Sequence, residues 1–309
     1  MKAGQNVFAV SLKAELQDKM DTLSIIIPHK DIPHLLRRCL DSIPQRDGIQ
    51  IIVVDDNSSA DIVDFDDFPG KNRPDVKLVF DRKGGGAGYA RNIGLGFADS
   101  RWVMFADADD YFVPDFLEVV SKYFDSNVDA VMFKIKTAKS ESGEEPDMAK
   151  YTNSAIDEGL EGCRTVRQSF AAVNSPWAKL LSLEFIRSKQ ITFDEIHLAN
   201  DAMFSSQIAC FGSLLGLSDE VIYTHTSRAG SLTANRYTHH DFLARWKVQC
   251  RCNKLLIANG ISIPWMGVKL KVAWNIGMMT FLGAIWRLIE NGLLFAGMSH
   301  WLYNKICRK

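Results

Sequence analysis

Apolar positions along this chain follow two rhythms. Between Thr22 and Val131, or just beyond, short unbroken apolar runs, "LSIIIP" (23–28), "IQIIVVDD" (49–56), "VKLVF" (76–80), "WVMFAD" (102–107) and "VDAVMF" (128–133), alternate with helix-period stretches. Those stretches are "HLLRRCLDSI" (34–43), "AGYARNIGLGFA" (87–98) and "PDFLEVVSKYF" (114–124). Unbroken β-branched runs suit strands buried on both faces, and their alternation with helices predicts βαβ units: an α/β fold with a mostly parallel central sheet flanked by helices. After the polar stretch "KSESGEEPDMAK" (139–150), residues 151–237 mix helical patterns such as "DAMFSSQIACFG" with short strands such as "EVIYTH". Residues 238–309 read as helical almost throughout, a C-terminal extension to a principal domain over 22–237.

The polar residues that end these runs change the picture. "LSIIIP" leads into His29-Lys30-Asp31, "IIVV" into Asp55-Asp56-Asn57-Ser58, and "WVMFA" into Asp107-Ala108-Asp109-Asp110. In open parallel sheets, ligands bind outside the carboxyl ends of the strands, so three polar outlets imply one crevice. If the pleat of the fourth strand continues, Asp107 and Asp109 project to one side, a pair of carboxylates whose repulsion a hard divalent ion, Mg²⁺ or Mn²⁺, relieves. The plainer alternative is that Asp109 and Asp110 cap the helix that follows. For "VVDDNSS" an Asx-turn accounts for Asn57 or Ser58, while a carboxylate accepting from a base imide or ribose hydroxyl accounts for the acids, Asp56 before Asp55. The run Gly84-Gly85-Gly86-Ala87-Gly88 follows the third strand and lacks the spacing of a dinucleotide fingerprint. It permits close backbone approach, with Arg91 either reaching a phosphate or lying solvated on its helix.

Composition narrows the partners. Over 309 residues the chain is 47% hydrophobic with a formal net charge of −1, which gives no global attraction to nucleic acid. Six scattered cysteines without paired zinc spacing suit a reduced, cytoplasmic chain. The first 21 residues include Glu15 and Asp18 and lack a long apolar stretch, so they read as a leader helix or arm rather than a secretory signal.

The motifs "SIIIPHKD", "IIVVDDNS", "GGAGYARNIGL" and "WVMFADADD", in that order and spacing, resemble the nucleotide-sugar half (22–131) of inverting glycosyltransferase family 2, of bacterial polysaccharide type, which has the GT-A fold. The segments "SPWAKLLSLEFIRSKQITFDE", "HLANDAMFSSQIA" and "YTHTSRAGSLT" resemble that family's acceptor half (151–237). The resemblance implies a nucleotide-diphosphate sugar donor, UDP favoured, a Mn²⁺ or Mg²⁺ cofactor, and a glycan or lipid-linked glycan acceptor in surface polysaccharide synthesis. It implies that Pro28, Lys30 and Asp56 line the base pocket, with Asp55 a further nucleotide-sugar-binding candidate beside Asp56, that Asp107 lies near ribose and the metal, and that Asp109 binds the metal. By the same resemblance Arg91, Arg228 and Ser231 serve the donor, Asp110, Trp177 and Lys179 lie on the acceptor side, and Asp201 is the catalytic base. The chain departs from the family pattern at Lys30, where Tyr is more usual, at Asp31 for Asn, and at Asn200 for Glu. An N-cap for "AMFSSQIACF" is the structural alternative for Asp201.

A single displacement of this kind needs no enzyme nucleophile, in keeping with the lack of an obvious Ser-His-Asp or Cys-His arrangement. A nucleotidyltransferase would share such a sheet but needs a glycine-rich basic loop after the first strand, which "PHKDIPHLL" is not; a non-catalytic sugar-nucleotide-binding module would lack the base. In the C-terminal quarter, "VAWNIGMMTFLGAIW" (272–286) is uncharged yet short of the roughly 20 residues of a membrane span. Trp246, Trp265, Trp274, Trp286 and Trp301 stand there among basic residues. Peripheral contact of residues 246–309 with the cytoplasmic face of an inner membrane is one expectation, and helices packed on the catalytic domain or on a homodimer partner are the other.

Overall fold

The computed structural model describes residues 22–139, 148–227, 238–262 and 267–296. Its first half runs β1 (Leu23–His29), α1 (Pro33–Asp41), β2 (Ile49–Asp56), β3 (Val76–Asp81), α2 (Ala87–Phe97), β4 (Trp102–Phe105), β5 (Tyr111–Phe112), α3 (Phe116–Ser121) and β6 (Ala130–Lys139). The second half continues with α4 (Met148–Leu160), α5 (Val166–Ala172), β7 (Lys179–Ser182), α6 (Leu183–Ser188), α7 (Ala202–Phe211), β8 (Leu215–Ser227), α8 (His239–Ala258), α9 (Gly267–Ile276) and α10 (Met278–Glu290).

All eight strands join one sheet in the order β3-β2-β1-β4-β7-β6-β8-β5. β3, β2, β1 and β4 are parallel, whereas β7 runs antiparallel between β4 and β6, and β5 pairs antiparallel with β8. The parallel block is the part predicted from unbroken apolar runs: β1, β2 and β4 are buried almost throughout. Register brings their carboxyl ends level, His29 opposite Asp55 and Ile26 opposite Phe105. The two faces pack separate cores. Ile26, Ile52, Val103 and Phe105 meet Phe193 and Phe204 on one side, while Ile25, Ile51, Met104 and Leu36 meet Phe112 and Phe116 on the other. One strand expected from the sequence is longer than "EVIYTH": β8 spans Leu215–Ser227 and crosses the molecule beside β6, with a bulge near Phe133 and Lys134.

The uncharged C-terminal run is two helices rather than one. Gly277, at φ 154°, breaks it in a conformation that L side chains rarely adopt. α10 then packs along α8: the Trp246 indole donates to the Ala284 carbonyl at 3.1 Å, and the Thr280 hydroxyl lies 2.7 Å from His239 Nδ1. Among the described residues no helix is long and apolar enough to cross a membrane.

Candidate functional site

The strand-end residues gather at the carboxyl ends of neighbouring parallel strands, but several are held differently from the sequence expectation. β4 stops at Phe105 instead of continuing its pleat, and a turn closed by the Asp110 amide donating to the Asp107 carbonyl (3.0 Å) curls the acidic run. Curling brings three carboxylates together where alternation predicts two: Asp107, Asp109 and Asp110 each offer an oxygen, all within 4.8 Å of one another. Asp110, expected on the acceptor side, therefore joins the acidic group. It is fully buried, accepts from the Thr226 amide at 2.7 Å, and lies 3.2 Å from His225 Nδ1. Burial pushes its carboxyl up to about 6, against the pull of His225, with Asp107 and Asp109 raising it further. The carbonyl of Asp109 is gripped by the Arg38 guanidinium and the Thr226 hydroxyl, so the turn is anchored from both α1 and β8.

Arg91 ties the acidic turn to the second half of the chain. Only 5% exposed, it donates to Asp107 Oδ1 at 2.6 Å and to Asn200 Oδ1 at 3.0 Å, with its Nε buried and without a partner, over the Phe193 ring. It is not a solvated helix residue. The approach of α2 that allows this bridge depends on Gly88, where a Cβ would lie 2.3 Å from the Asp194 carbonyl oxygen and 2.9 Å from Asn200 Cβ. The glycine run thus serves a protein contact as well as any ligand.

Asp201 follows Asn200 directly and stands at the N-cap position of α7, yet its side chain makes no capping hydrogen bond. The structural alternative for this aspartate is therefore unfilled. Burial raises its carboxyl above the ordinary range, opposed by the charge of Arg91 and reinforced by that of Asp107. Ala199, with φ 58°, turns the chain immediately before the pair.

The two acids that end β2 divide their work. Asp55 is buried against His29 Nδ1 (2.8 Å) and accepts from the Ser58 amide (3.0 Å) and hydroxyl (2.5 Å). Burial alone would raise its carboxyl, but these hydrogen bonds hold it below the ordinary value. Its oxygens are taken by the fold, which leaves it a structural support for the loop and not a wall of the base pocket. Asp56 differs: Oδ2 accepts from the Gly86 amide at 2.9 Å, where φ of 87° requires glycine, while Oδ1 is buried with no hydrogen-bond partner. Such an orphaned oxygen is costly unless something donates to it. Pro28 is half-buried and Lys30 exposed; a Cβ on Gly84 would lie 4.0 Å from the Lys30 ammonium, so this lysine hangs over the same loop.

The acceptor-side residues are less accessible than the sequence suggests. Lys179 is fully buried, donating to the carbonyls of Val173 (2.7 Å) and Ser175 (2.5 Å) and to the Ser205 hydroxyl (3.2 Å). Burial pulls its ammonium down to about 7. It braces the 173–175 loop against α7 and cannot touch an acceptor from there. Trp177 is buried too, stacked between Tyr223 at 5.5 Å and His225 at 5.4 Å. Arg228 and Ser231 lie outside the described residues.

Three contributors escaped the sequence reading. Tyr223 accepts the Asp107 amide at 2.9 Å, His225 backs Asp110, and Arg38 holds the Asp109 carbonyl. Tyr223 and His225 alternate with Ile222 and Thr224 along β8, so period-two facing toward the acidic turn was the available signal. Nothing in the pattern of α1 marks Arg38.

Comparison with known proteins bears on the family and the fold. Residues 24–176 match the family model described as Glycosyl transferase family 2. Glycosyltransferase GlyA of Streptococcus pneumoniae is 26% identical over 234 residues, 69% of this chain and 32% of its own length. Poly(ribitol-phosphate) beta-N-acetylglucosaminyltransferase TarS of Staphylococcus aureus is 24% identical over 226 residues, 71% of this chain and 38% of its own. The chain thus spans about a third of the length of these curated relatives. The crystal structure of TarS residues 1–349 in complex with UDP-GlcNAc superposes with a TM-score of 0.64 at 17% identity, over 87% of this chain and 80% of that one. The mannosyltransferase PcManGT of Pyrobaculum calidifontis, in complex with GDP-Man and Mn²⁺, superposes with a TM-score of 0.55 over 98% of this chain and 88% of that one. At these identities the superpositions show a shared fold.

Proposed function

Since this chain belongs to glycosyl transferase family 2, we propose that it transfers a sugar from a nucleotide-diphosphate sugar, UDP-linked by preference, to a hydroxyl of a glycan or lipid-linked glycan in bacterial surface polysaccharide synthesis, with inversion at the anomeric carbon. The observation that carries this reading is the bridge through Arg91, which joins the acidic turn on β4 to the Asn200–Asp201 corner. A donor held at the first and an acceptor activated at the second would meet across one guanidinium.

The donor set at the turn is hard and all-oxygen, and it fits Mn²⁺ or Mg²⁺ held by Asp107, Asp109 and Asp110. When bound, such a cation would neutralise charge on the leaving diphosphate. Tyr223, Arg38 and Thr226 fix the turn that carries these carboxylates. The orphaned Asp56 Oδ1 accepts from the imide N–H of a uracil, and Lys30 stands where it can cover the base or a phosphate. Arg91 supplies positive charge beside the donor without losing its hold on Asn200. Asp201 takes the proton from the acceptor hydroxyl as that oxygen attacks from the face opposite the leaving group, a role its raised pKa favours. A polymeric acceptor is supported by the name of TarS, which transfers N-acetylglucosamine to poly(ribitol-phosphate), a polymer that offers hydroxyls as a glycan does. A cytoplasmic site suits the five cysteines among the described residues, all free thiols and four of them buried.

Product analysis tests the reading. With Mn²⁺ and a panel of UDP-sugars, nucleoside diphosphate release should be metal-dependent, and proton NMR should give a product of anomeric configuration opposite to the donor's. A retained configuration would remove the single-displacement mechanism. Tight donor binding without turnover on any donor or acceptor would favour a sugar-nucleotide-binding module.

A further inference from the structure

α10 is apolar on two opposite faces, and among the described residues only one of them is covered. Thr280, Ala284 and Leu288 point inward and are buried against α8. On the outer side Met278, Leu282, Trp286 and Ile289 recur every three or four residues, the spacing of one helical stripe, and are 65%, 52%, 66% and 53% exposed, with Met279 beside them at 71%. Trp274 on α9 (57%), edge-on to the Phe281 ring of α10, and Phe295 just beyond α10 (70%) are exposed as well. Packing on α8 accounts for the inner face alone. A groove of about 600 Å³ between α8 and α10, lined by His239, Leu243, Met279, Leu282, Gly283 and Trp286, adjoins the stripe. A run of large exposed apolar side chains along about 20 Å of helix is unusual for a surface that meets only water.

Charge says what covers it. Residues 238–309 hold ten lysines and arginines against two acids, Asp241 and Glu290, although the whole chain is nearly balanced at 36 basic to 37 acidic residues. The excess of acid therefore lies in the catalytic part and the excess of base in the segment bearing the apolar stripe. A second copy of the same segment would bring like charge to like, whereas an anionic lipid surface brings the opposite charge together with an apolar layer. Exposed indoles at Trp274 and Trp286 are the side chains best suited to the boundary between headgroup and acyl chain. We infer that the outer face of α10, with Trp274 and Phe295, docks in the interfacial layer of an anionic membrane and holds the protein on that surface as a peripheral protein. No residue of this face belongs to the catalytic crevice, so the inference stands apart from the transfer reaction.

Co-sedimentation of the full chain with vesicles of phosphatidylcholine alone and with added phosphatidylglycerol tests it. Binding should favour the anionic vesicles by roughly tenfold or more and weaken with salt. The double substitution Leu282→Asp/Trp286→Asp, both on exposed positions, should abolish it. Tryptophan fluorescence of the unmodified protein should also be quenched by brominated lipid, a readout that depends on no variant. Equal affinity for both vesicle types, absence of bromolipid quenching, or a dimer in sedimentation that the double substitution dissolves without vesicle binding in the parent would each overturn the assignment.

Discussion

Asp201→Asn is expected to lower kcat by about 10²–10⁴-fold, the range that general base catalysis contributes, while donor affinity stays within a few-fold of the parent. The substitution keeps size and polarity and removes only the ability to take a proton. Burial raises the Asp201 carboxyl, so in the parent the base is ionised above, and disabled below, a pKa higher than the usual ~3.9 of an aspartate. Activity should therefore fall as pH drops through that raised value, and the residual activity of the Asn variant should lack this acid limb. Stability moves the other way. Because the folded state binds this proton more tightly than the unfolded chain does, the parent loses stability as pH rises from the ordinary carboxylate range through the raised value; the variant should lose less, keeping only the share of Asp110, which is raised as well. Steady-state kinetics with urea unfolding across pH therefore separates a lost base from a lost fold. An Asn variant with undiminished kcat would remove Asp201 from the mechanism.

Arg91→Met should be the most damaging change away from the base. It removes a cation that is 5% exposed and leaves Asp107 and Asn200 Oδ1 without their partner. Breaking one side of a buried pair costs about 3–5 kcal/mol, and partial exposure of Asp107, 29% by side chain, puts the expected loss near the lower end at about 3 kcal/mol. Arg91→Lys should recover little, since an ammonium cannot span two acceptors as the guanidinium fork does. The pairing is checked by a double-mutant cycle with Asp107→Asn: the combined loss should be clearly smaller than the sum of the two single losses. Additive losses would mean that the contact carries no coupling. Donor affinity should fall along with stability if the same group serves the donor as proposed.

The parallel half of the molecule was legible because buried strands declare themselves as unbroken apolar runs and their ends as abrupt polar clusters. Of the candidate site, the positions of the acids at strand ends and at a helix start were legible: Asp56 ends β2, Asp107 and Asp109 follow β4, and Asp201 precedes α7 near enough to feel the charge of Asp107. What sequence patterning missed is what depends on curvature and long-range pairing. Curling of the chain after Phe105 drew Asp110 into the acidic group, a consequence of a hydrogen bond closing the turn that no periodicity encodes. Asp55 looked equivalent to Asp56, and only the approach of His29 and Ser58 distinguishes them. Lys179 resembles an exposed charge in "SPWAKLLS" but occupies the first position of a central antiparallel strand, where its stem is buried and its ammonium meets two carbonyls. Gly277, an ordinary residue in an apolar run, proved to be the break between two helices.

Thermal unfolding with UDP, in the presence and absence of Mn²⁺, bears most directly on the acidic turn as the cradle of a cation and a diphosphate. UDP with Mn²⁺ should stabilise the folded chain, by about 2.7 kcal/mol at a hundredfold excess over Kd. UDP with EDTA should stabilise it far less, and Asp109→Asn should erase the difference. Equal stabilisation with and without the metal, unchanged by Asp109→Asn, would contradict the account.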